Sequence, residues 1–282
     1  MAIIIRPEID GRIKPLINSG YQLSPNNSLN RSLISWWLFN ERSSDRLFDV
    51  LKANDLIRSK LTWTPYGYEC DLDTYAYLNY GLYPGTTNPW SILIYLNGPV
   101  GINKVLFGMG SAASNNPIYM LATHETGKDN KLRLYVRSDD NTVLLNAKSA
   151  QSVFDSKNHT VLWTDDGANT NLYIDGQRDS TAFAYARNKA LTLNRTAFFA
   201  LLRASAGNFW DNGQIFHAAL FNRALGAKEA MLLHSHPFGT VEMPRLYFVK
   251  RKINVGSGIA PVILTEEDVF MGMLRFWQQQ RY

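Results

Sequence analysis

The feature that most constrains this fold is a rhythm of short apolar segments separated by turn formers. It runs from about Ser32 to Asn222. The segments fall at residues 35–39, 66–80, 90–96, 104–108, 118–123, 132–138, 142–147, 159–164, 171–174, 198–203 and 213–222. They are rich in β-branched and aromatic residues, and Gly, Asn, Asp or Ser punctuates the gaps between them. In 132–138 the alternation places Leu132, Leu134 and Val136 on one face. No amphipathic helices intervene as crossovers, so a parallel sheet is excluded. The pattern predicts an all-β fold, a two-sheet antiparallel jelly-roll sandwich.

Two segments break the rhythm. Residues 226–234 read as a helix opening at Gly226, with Glu229 three positions on. Residues 265–280 read as a second helix. Thr265 is its N-cap, and Glu266, Glu267 and Asp268 sit in the positive first turn. Val269, Phe270, Met273, Leu274 and Trp277 form one apolar stripe along it. Residues 1–31 carry three prolines and the turn cluster Ser24-Pro25-Asn26-Asn27-Ser28, which reads as an extended arm with a short strand at 2–6. The expected organisation is therefore an arm over 1–31, a sandwich over 32–240 and an extension over 241–282.

Composition limits function. Hydrophobic residues make up 45% of the 282, enough for a substantial core. The single cysteine, Cys70, rules out an internal disulfide and a Cys-based zinc site, as expected of a protein made in a reducing cytoplasm. The N-terminal apolar stretch is too short for a signal peptide, and nothing approaches the roughly 18 apolar residues of a membrane span. Net charge is +5, but the basic residues are scattered along the chain apart from Lys250-Arg251-Lys252, so nucleic acid is not the expected partner.

Two stretches carry a more specific resemblance. His159-Thr160-Val161-Leu162-Trp163-Thr164, a turn at Asp165-Asp166-Gly167, and Asn171-Leu172-Tyr173-Ile174-Asp175-Gly176 form a hairpin closed by an Asp-Gly turn. Downstream, the strand from Gly213 runs into Asn222-Arg223-Ala224-Leu225 and Glu229. In order and spacing these resemble the concanavalin A-like, laminin-G-like sandwich family over residues 32–238. The lead-in Leu29-Asn30-Arg31-Ser32-Leu33-Ile34-Ser35-Trp36-Trp37-Leu38-Phe39-Asn40-Glu41, with Asp49, Asn54 and Asp55 behind it, resembles the version in bacteriophage and prophage virion proteins. The closing stretch Leu232 to Phe238 fits the same version.

The resemblance implies several candidate sites. Calcium is the one cofactor it suggests, with Asp49, Asn54 and Asp55 as ligands in the loop after the first strand; Phe216 stands where the family carries a further Asp. The alternative is that these three are ordinary turn residues. Glucanases of this fold use strand carboxylates, but Glu69, Asp71 and Asp73 have the wrong spacing for them. No other catalytic constellation is visible, so the chain is expected not to be an enzyme. His159 matches a structural histidine of the family, and His234 and His236 read as helix C-terminal residues.

Sugar recognition would fall on Trp210 beside Asn208, Asp211 and Asn212, and aromatics cluster at Trp63, Tyr66, Tyr75, Tyr77, Tyr80 and Tyr83. Such rings also suit subunit interfaces. Phe270, Met273, Leu274 and Trp277 are the expected assembly surface, with other virion proteins and copies of this chain as partners. The resulting expectation is a virion structural protein, displayed on tail or capsid, that adheres to host-surface glycan. A purely architectural subunit and a glycan-degrading enzyme are the alternatives.

Overall fold

The computed structural model describes residues 22–23, 27–41, 44–64, 67–70, 74–100, 105–123, 130–181, 183–204, 207–209, 213–238 and 241–242. The strand expected at 2–6 and the helix expected at 265–280 lie outside them. In chain order the elements are β1 (Gln22–Leu23), α1 (Ser28–Arg31), β2 (Leu33–Trp37), β3 (Arg46–Leu47), β4 (Leu56–Ser59), β5 (Thr62–Thr64), β6 (Gly67–Cys70) and β7 (Tyr75–Leu78). There follow β8 (Trp90–Asn97), β9 (Val105–Gly110), β10 (Ile118–Thr123), β11 (Lys131–Arg137), β12 (Val143–Ser152), β13 (Asn158–Asp165) and β14 (Asn169–Ile174). The last are β15 (Gln177–Arg178), β16 (Phe183–Ala184), β17 (Arg195–Phe198), β18 (Ala200–Leu202), β19 (Gly207–Phe209), β20 (Gly213–Phe221), α2 (Ala227–Ser235) and β21 (Val241–Glu242).

Two large antiparallel sheets make the sandwich. One has eight strands in the order β12-β11-β10-β9-β17-β7-β4-β3. The other has nine, in the order β15-β14-β13-β8-β20-β6-β5, with β16 added on β14 and β2 on β20. The core between them follows from the alternation seen in the sequence. Leu132, Leu134 and Val136 of β11 point inward and are fully buried. They join Tyr119 and Leu121 of β10, Phe107 and Met109 of β9, and Phe198 of β17. From the other sheet come Trp90, Ile92, Ile94 and Leu96 of β8, Val161 and Trp163 of β13, and Ile215, Ala218 and Leu220 of β20. Tyr119 stacks on Trp163 with ring centroids 4.2 Å apart, which ties the two sheets at mid-core.

The nine-stranded sheet is also covered on its outer face. Trp36, Leu93, Leu162, Tyr173, Ala219 and Phe221 pack there against Ala230 and Leu233 of α2 and against Leu225 and Phe238. Burial on both faces explains why β8 and β20 read as continuous apolar runs. Helix α2 begins where the Gly226–Glu229 signal put it. Glu229 accepts a hydrogen bond from Gly226 N at 2.9 Å and pairs with Arg223 through Nη1 at 2.9 Å and through Nη2. Glycine has no side chain to return the cap, so the Glu229 amide donates to Gly226 O at 3.1 Å while Arg223 holds the Glu229 carboxylate. Thus the Asn222-Arg223-Ala224-Leu225…Glu229 motif is a strand-to-helix clamp.

The hairpin of β13 and β14 pairs Val161 with Ile174 and Asp165 with Thr170, as its sequence implied. The Asp-Gly turn that ends β14 and leads into β15 has positive φ at both Asp175 (52°) and Gly176 (75°), the requirement of a type I′ turn. Three expectations needed adjustment. The dense segment 35–39 ends as a strand at Trp37, and Phe39 turns at φ 51°. Segment 198–203 is two strands of different sheets, divided at Phe199 with φ 63°. The arm's end contains a helical turn, α1, capped by Asn27 Oδ1 accepting from Leu29 N at 3.0 Å.

Candidate functional site

The division at Phe199 creates the most suggestive surface of the molecule. After β17 the chain leaves the eight-stranded sheet, reverses, and lays β18 across the outer face of β9, where β18 pairs with β19. A side chain at Gly108 would collide there, since a Cβ would lie 2.7 Å from Ala200 O and 2.9 Å from Leu201 Cα. Glycine therefore lets the second layer seat on the sheet.

Beside this layer, the outward positions of β10 and β11 form a cleft of about 250 Å³. Its floor is apolar, a satellite cluster of Val105, Ile118, Met120, Ala122 and Leu201. Its walls are Arg133, Tyr135 and Arg137 of β11, and Arg203 just beyond β18. Because Leu132, Leu134 and Val136 face the core, their neighbours 133, 135 and 137 must face out together.

Each wall group is held. The Arg133 guanidinium lies 4.4 Å from the Tyr135 ring centroid, a cation–π contact, and its Nε donates to Asn146 Oδ1 at 2.9 Å. Arg137 donates from Nε to Asn116 O at 2.7 Å and from Nη2 to Asn115 O at 2.6 Å. Arg203 Nη1 reaches the same Asn115 carbonyl at 3.5 Å. Burial lowers the Arg203 pKa from its ordinary value; the Arg137 charge adds to that, and Tyr135 opposes it. The cleft thus presents converging cations and an aromatic ring over an apolar floor. Basic residues scattered along the sequence are gathered here in space. The signal was legible in the Arg133-Leu134-Tyr135-Val136-Arg137 alternation, but the contribution of Arg203 was not.

The residues expected at functional sites lie elsewhere. Trp210, Asp211 and Asn212 are outside the described residues, and Asn208 sits in β19 opposite Leu201. Tyr75 and Tyr77 are half-buried neighbours with centroids 5.4 Å apart, and Tyr80 is exposed. Tyr83 is half-buried, and its hydroxyl accepts from Arg187. Tyr66, Asp71 and Asp73 lie outside the described residues, while Glu69 is exposed on β6 and Cys70 is buried.

Asp49, Asn54 and Asp55 do come together. Asp49 is buried; its Oδ1 accepts from Trp36 N at 2.8 Å and Leu51 N at 3.1 Å, and its Oδ2 accepts from Asn54 N at 3.1 Å. Asp55 Oδ1 accepts from Asp49 N at 2.9 Å. Asn54 donates from Nδ2 to Ser35 Oγ and accepts the Tyr80 hydroxyl. These oxygens organise the loop behind β2. Among the described residues, no group of three or more His, Cys, Asp or Glu side chains is placed to hold a metal ion. Nor is any described helix long and apolar enough to cross a membrane.

Two polar networks lie on the hairpin. His159 is held between carboxylates, Nδ1 to Asp175 Oδ2 at 2.8 Å and Nε2 to Asp155 Oδ1 at 2.9 Å. The Asp175 bond raises its pKa above the ordinary value; burial opposes this, and Asp155 adds to the rise. At the other end, Asp165 is buried with Arg187, whose Nε is 3.2 Å from Asp165 Oδ1. That approach is close enough for an ion pair but misaligned for a hydrogen bond. Tyr119 and Tyr185 both donate to Asp165 Oδ2, and Asp165 pushes both phenols up beyond the effect of their burial.

The comparisons with known proteins agree with this architecture. No curated protein sequence matches the chain. A structure of Trypanosoma rangeli sialidase in complex with the inhibitor DANA is similar at 14% identity and a TM-score of 0.57, over 74% of this chain and 33% of the sialidase. The binding domain of botulinum neurotoxin serotype D/C is similar at 13% identity and a TM-score of 0.56, over 73% of this chain and 52% of that one. A botulinum neurotoxin type C structure, described as interacting with two ganglioside molecules, matches at 14% identity and a TM-score of 0.56, over 73% and 51%. This chain therefore spans about a third to a half of the solved chains it resembles, and at these identities the likeness is one of fold.

The exclusion of catalysis drawn from the sequence is corrected by these structures. The same sandwich occurs in sialidases as well as in a toxin's binding domain, so an all-β fold lacking a familiar triad is no ground for ruling out an enzyme. The family model described as the concanavalin A-like lectin/glucanases superfamily matches residues 74–231, more than half of the 282. By that match, which takes in the β13–β14 hairpin and the Arg223–Glu229 clamp, this chain belongs to the concanavalin A-like lectin/glucanase superfamily.

Proposed function

We propose that this chain is a glycan-binding structural subunit of a bacteriophage particle, displayed on tail or capsid and used to adhere to the host surface. The observation that carries the binding half is the cleft on the outer face of β10 and β11. It combines an aromatic ring, fixed hydrogen-bond donors and an apolar floor, the elements of a saccharide site. Neighbouring structures support the same reading, since one is a toxin binding domain and another is described with gangliosides.

The particle half rests on the lead-in and closing segments. Ser32 to Glu41 is built into the sandwich through β2 on β20, and Phe238 packs on Trp36 with centroids 5.9 Å apart. On this reading the sandwich spans 32–240, while the arm over 1–31 and the extension over 241–282 hold the subunit to other virion proteins and to copies of itself. Phe270, Met273, Leu274 and Trp277 supply the apolar anchor. Weak binding by each copy then adds through effective concentration.

The test is a glycan array of host surface polysaccharides probed with the full chain, together with mass spectrometry of intact particles. Reproducible glycan binding and presence in particles are the expected results. Silence across the array would leave an architectural subunit, absence from particles would remove the virion role, and new reducing ends would place the chain among the fold's enzymes.

A further inference from the structure

We propose a second saccharide site, on the other sheet: a polar pocket on the outer face of the nine-stranded sheet that binds the hydroxyl groups of a neutral sugar through Glu69, Gln214 and Asn97. It goes beyond the cleft and stands on different residues.

The pocket follows from strand register. Thr62 of β5 pairs with Glu69 of β6, Glu69 with Gln214 of β20, Gln214 with Asn97 of β8, and Asn97 with Asn158 of β13. Five adjacent strands thus set polar residues in one row. Tyr68, Cys70, Ile215 and Leu96 belong to the core, so their neighbours Glu69, Gln214 and Asn97 point outward. These three, with Pro99 and Gly213, line a pocket of about 270 Å³. Further along the same face the outward residues change character: Leu93 and Ala219 are apolar and pack with α2.

Hydrogen bonds within the row decide which ligand it suits. Gln214 Nε2 donates to Thr64 Oγ1 at 2.7 Å and to Glu69 Oε1 at 3.5 Å. Asn97 Nδ2 donates to Asn158 Oδ1 at 3.0 Å and to Ser156 O at 3.2 Å. An amide nitrogen carries two hydrogens, so the donors of both side chains are committed. Acceptors remain: Gln214 Oε1, Asn97 Oδ1 and the Glu69 carboxylate, which among the described residues pairs with no lysine or arginine.

A row of acceptors calls for a ligand made of donors. Sugar hydroxyls donate. Carboxylate, sulfate and phosphate groups do not, and the Glu69 charge repels them. A calcium ion also takes oxygen ligands, but it gathers about six to eight of them at ~2.3–2.6 Å from one point. These acceptors stand on successive strands, ~4.7–4.9 Å apart, and are therefore spread along a line. Hydroxyls distributed round a sugar ring match that spread. Because the amides are already held by their own donors, little side-chain freedom is lost on binding. The volume is close to the ~300 Å³ lower bound of ligand pockets, room for one ring.

The test is NMR of the ¹⁵N-labelled full chain, following the side-chain amide signals of Asn97 and Gln214, each assigned from its Ala variant. The probes are neutral trimers of glucose, galactose and mannose, a galacturonic acid trimer, and calcium alone. Expected are saturable shifts of both amides with at least one neutral trimer, and binding of the acidic trimer at least about threefold weaker at low salt. Glu69→Gln, at an exposed position, should still fold; it should weaken neutral binding several-fold and remove the discrimination against the acid.

No shift with any neutral trimer would overturn the site, as would an acidic trimer that binds as tightly as the neutral ones. Discrimination that survives in Glu69→Gln would also refute the role given to that carboxylate. Saturable shifts with calcium but not with sugar would replace the saccharide with a cation. The two amide signals report this pocket alone, so it stands or falls separately from the cleft.

Discussion

Asp165→Asn gives the most exacting test of how this sandwich is held together. Asp165 is 1% exposed and receives four donors: the Tyr119 hydroxyl at 2.6 Å, the Tyr185 hydroxyl, Gly167 N at 2.8 Å, and the Arg187 guanidinium at 3.2 Å in an ion pair. Asparagine has nearly the same shape but only one acceptor oxygen. If that oxygen serves the two tyrosines, its NH₂ group faces Arg187 Nε and Gly167 N, donor against donor. Arg187 keeps its bonds to Gly85 O and Asn88 O, at 2.8 and 2.7 Å, but loses its counter-charge in a fully buried site. Removing one partner of a buried pair costs about 3–5 kcal/mol. At ~2–4 °C per kcal/mol for a domain of this size, Tm should fall by roughly 6–20 °C. Urea unfolding followed by tryptophan fluorescence measures the change, because Trp90 and Trp163 both pack on Tyr119. The double variant Asp165→Leu/Arg187→Met should be less destabilised than the sum of its single variants, by about 1 kcal/mol or more. A loss below about 1 kcal/mol for Asp165→Asn, or strict additivity in the cycle, would refute the claim that the pair acts as a unit.

Three further outcomes follow from local geometry. The bonded His159 has a raised pKa, so its contribution is fully present below its unfolded value of 6.5 and is lost as pH rises through the folded value. For Asp175, burial acts upward, but the bonds from His159 and Thr160 N leave the pKa net lowered; its contribution is present above 3.8 and lost as pH falls through the folded value. Stability from this cluster is therefore greatest between about pH 4 and 6.5, and a pH series of melting curves should flatten in His159→Gln. Glu229→Ala removes both the Arg223 pair and the Gly226 cap of α2, and should cost ~1–2 kcal/mol by chemical denaturation; no loss would mean the clamp is ornamental. Because three backbone amides already occupy Asp49, millimolar calcium should leave Tm unchanged, and a rise abolished by Asp49→Asn would establish a metal site there.

Where one face of a strand is buried and the other carries polar side chains, alternation was enough: the inward face of β11 follows from it. Strands buried on both faces, such as β10, were legible as continuous apolar runs, and segment 118–123 is β10 residue for residue. Where the chain turns at a single residue, periodicity had nothing to report. Phe199 is an ordinary core residue by composition, yet its positive φ ends β17 and begins a strand of another sheet. Helix α1 is one turn long and carries too few residues for a 3.6-residue pattern. Asp49, Asn54 and Asp55 show the limit from the other side. Their clustering was legible, but whether a carboxylate binds an ion or caps backbone amides depends on where Trp36 N and Leu51 N point.

The cleft shows why its residues could be missed while its strand was plain. Arg137 and Arg203 are far apart in the chain and become neighbours only because β18 doubles back over Gly108. Yet what makes them useful is the part that was plain. Leu132, Leu134 and Val136 fix the register of β11 against the core, because a slip of one residue would turn all three to solvent. The same constraint fixes Arg133, Tyr135 and Arg137 on the outer face, so these groups inherit their placement from buried neighbours. On the reading proposed above, substitution at these outward positions alone should alter what the cleft binds, with the core untouched.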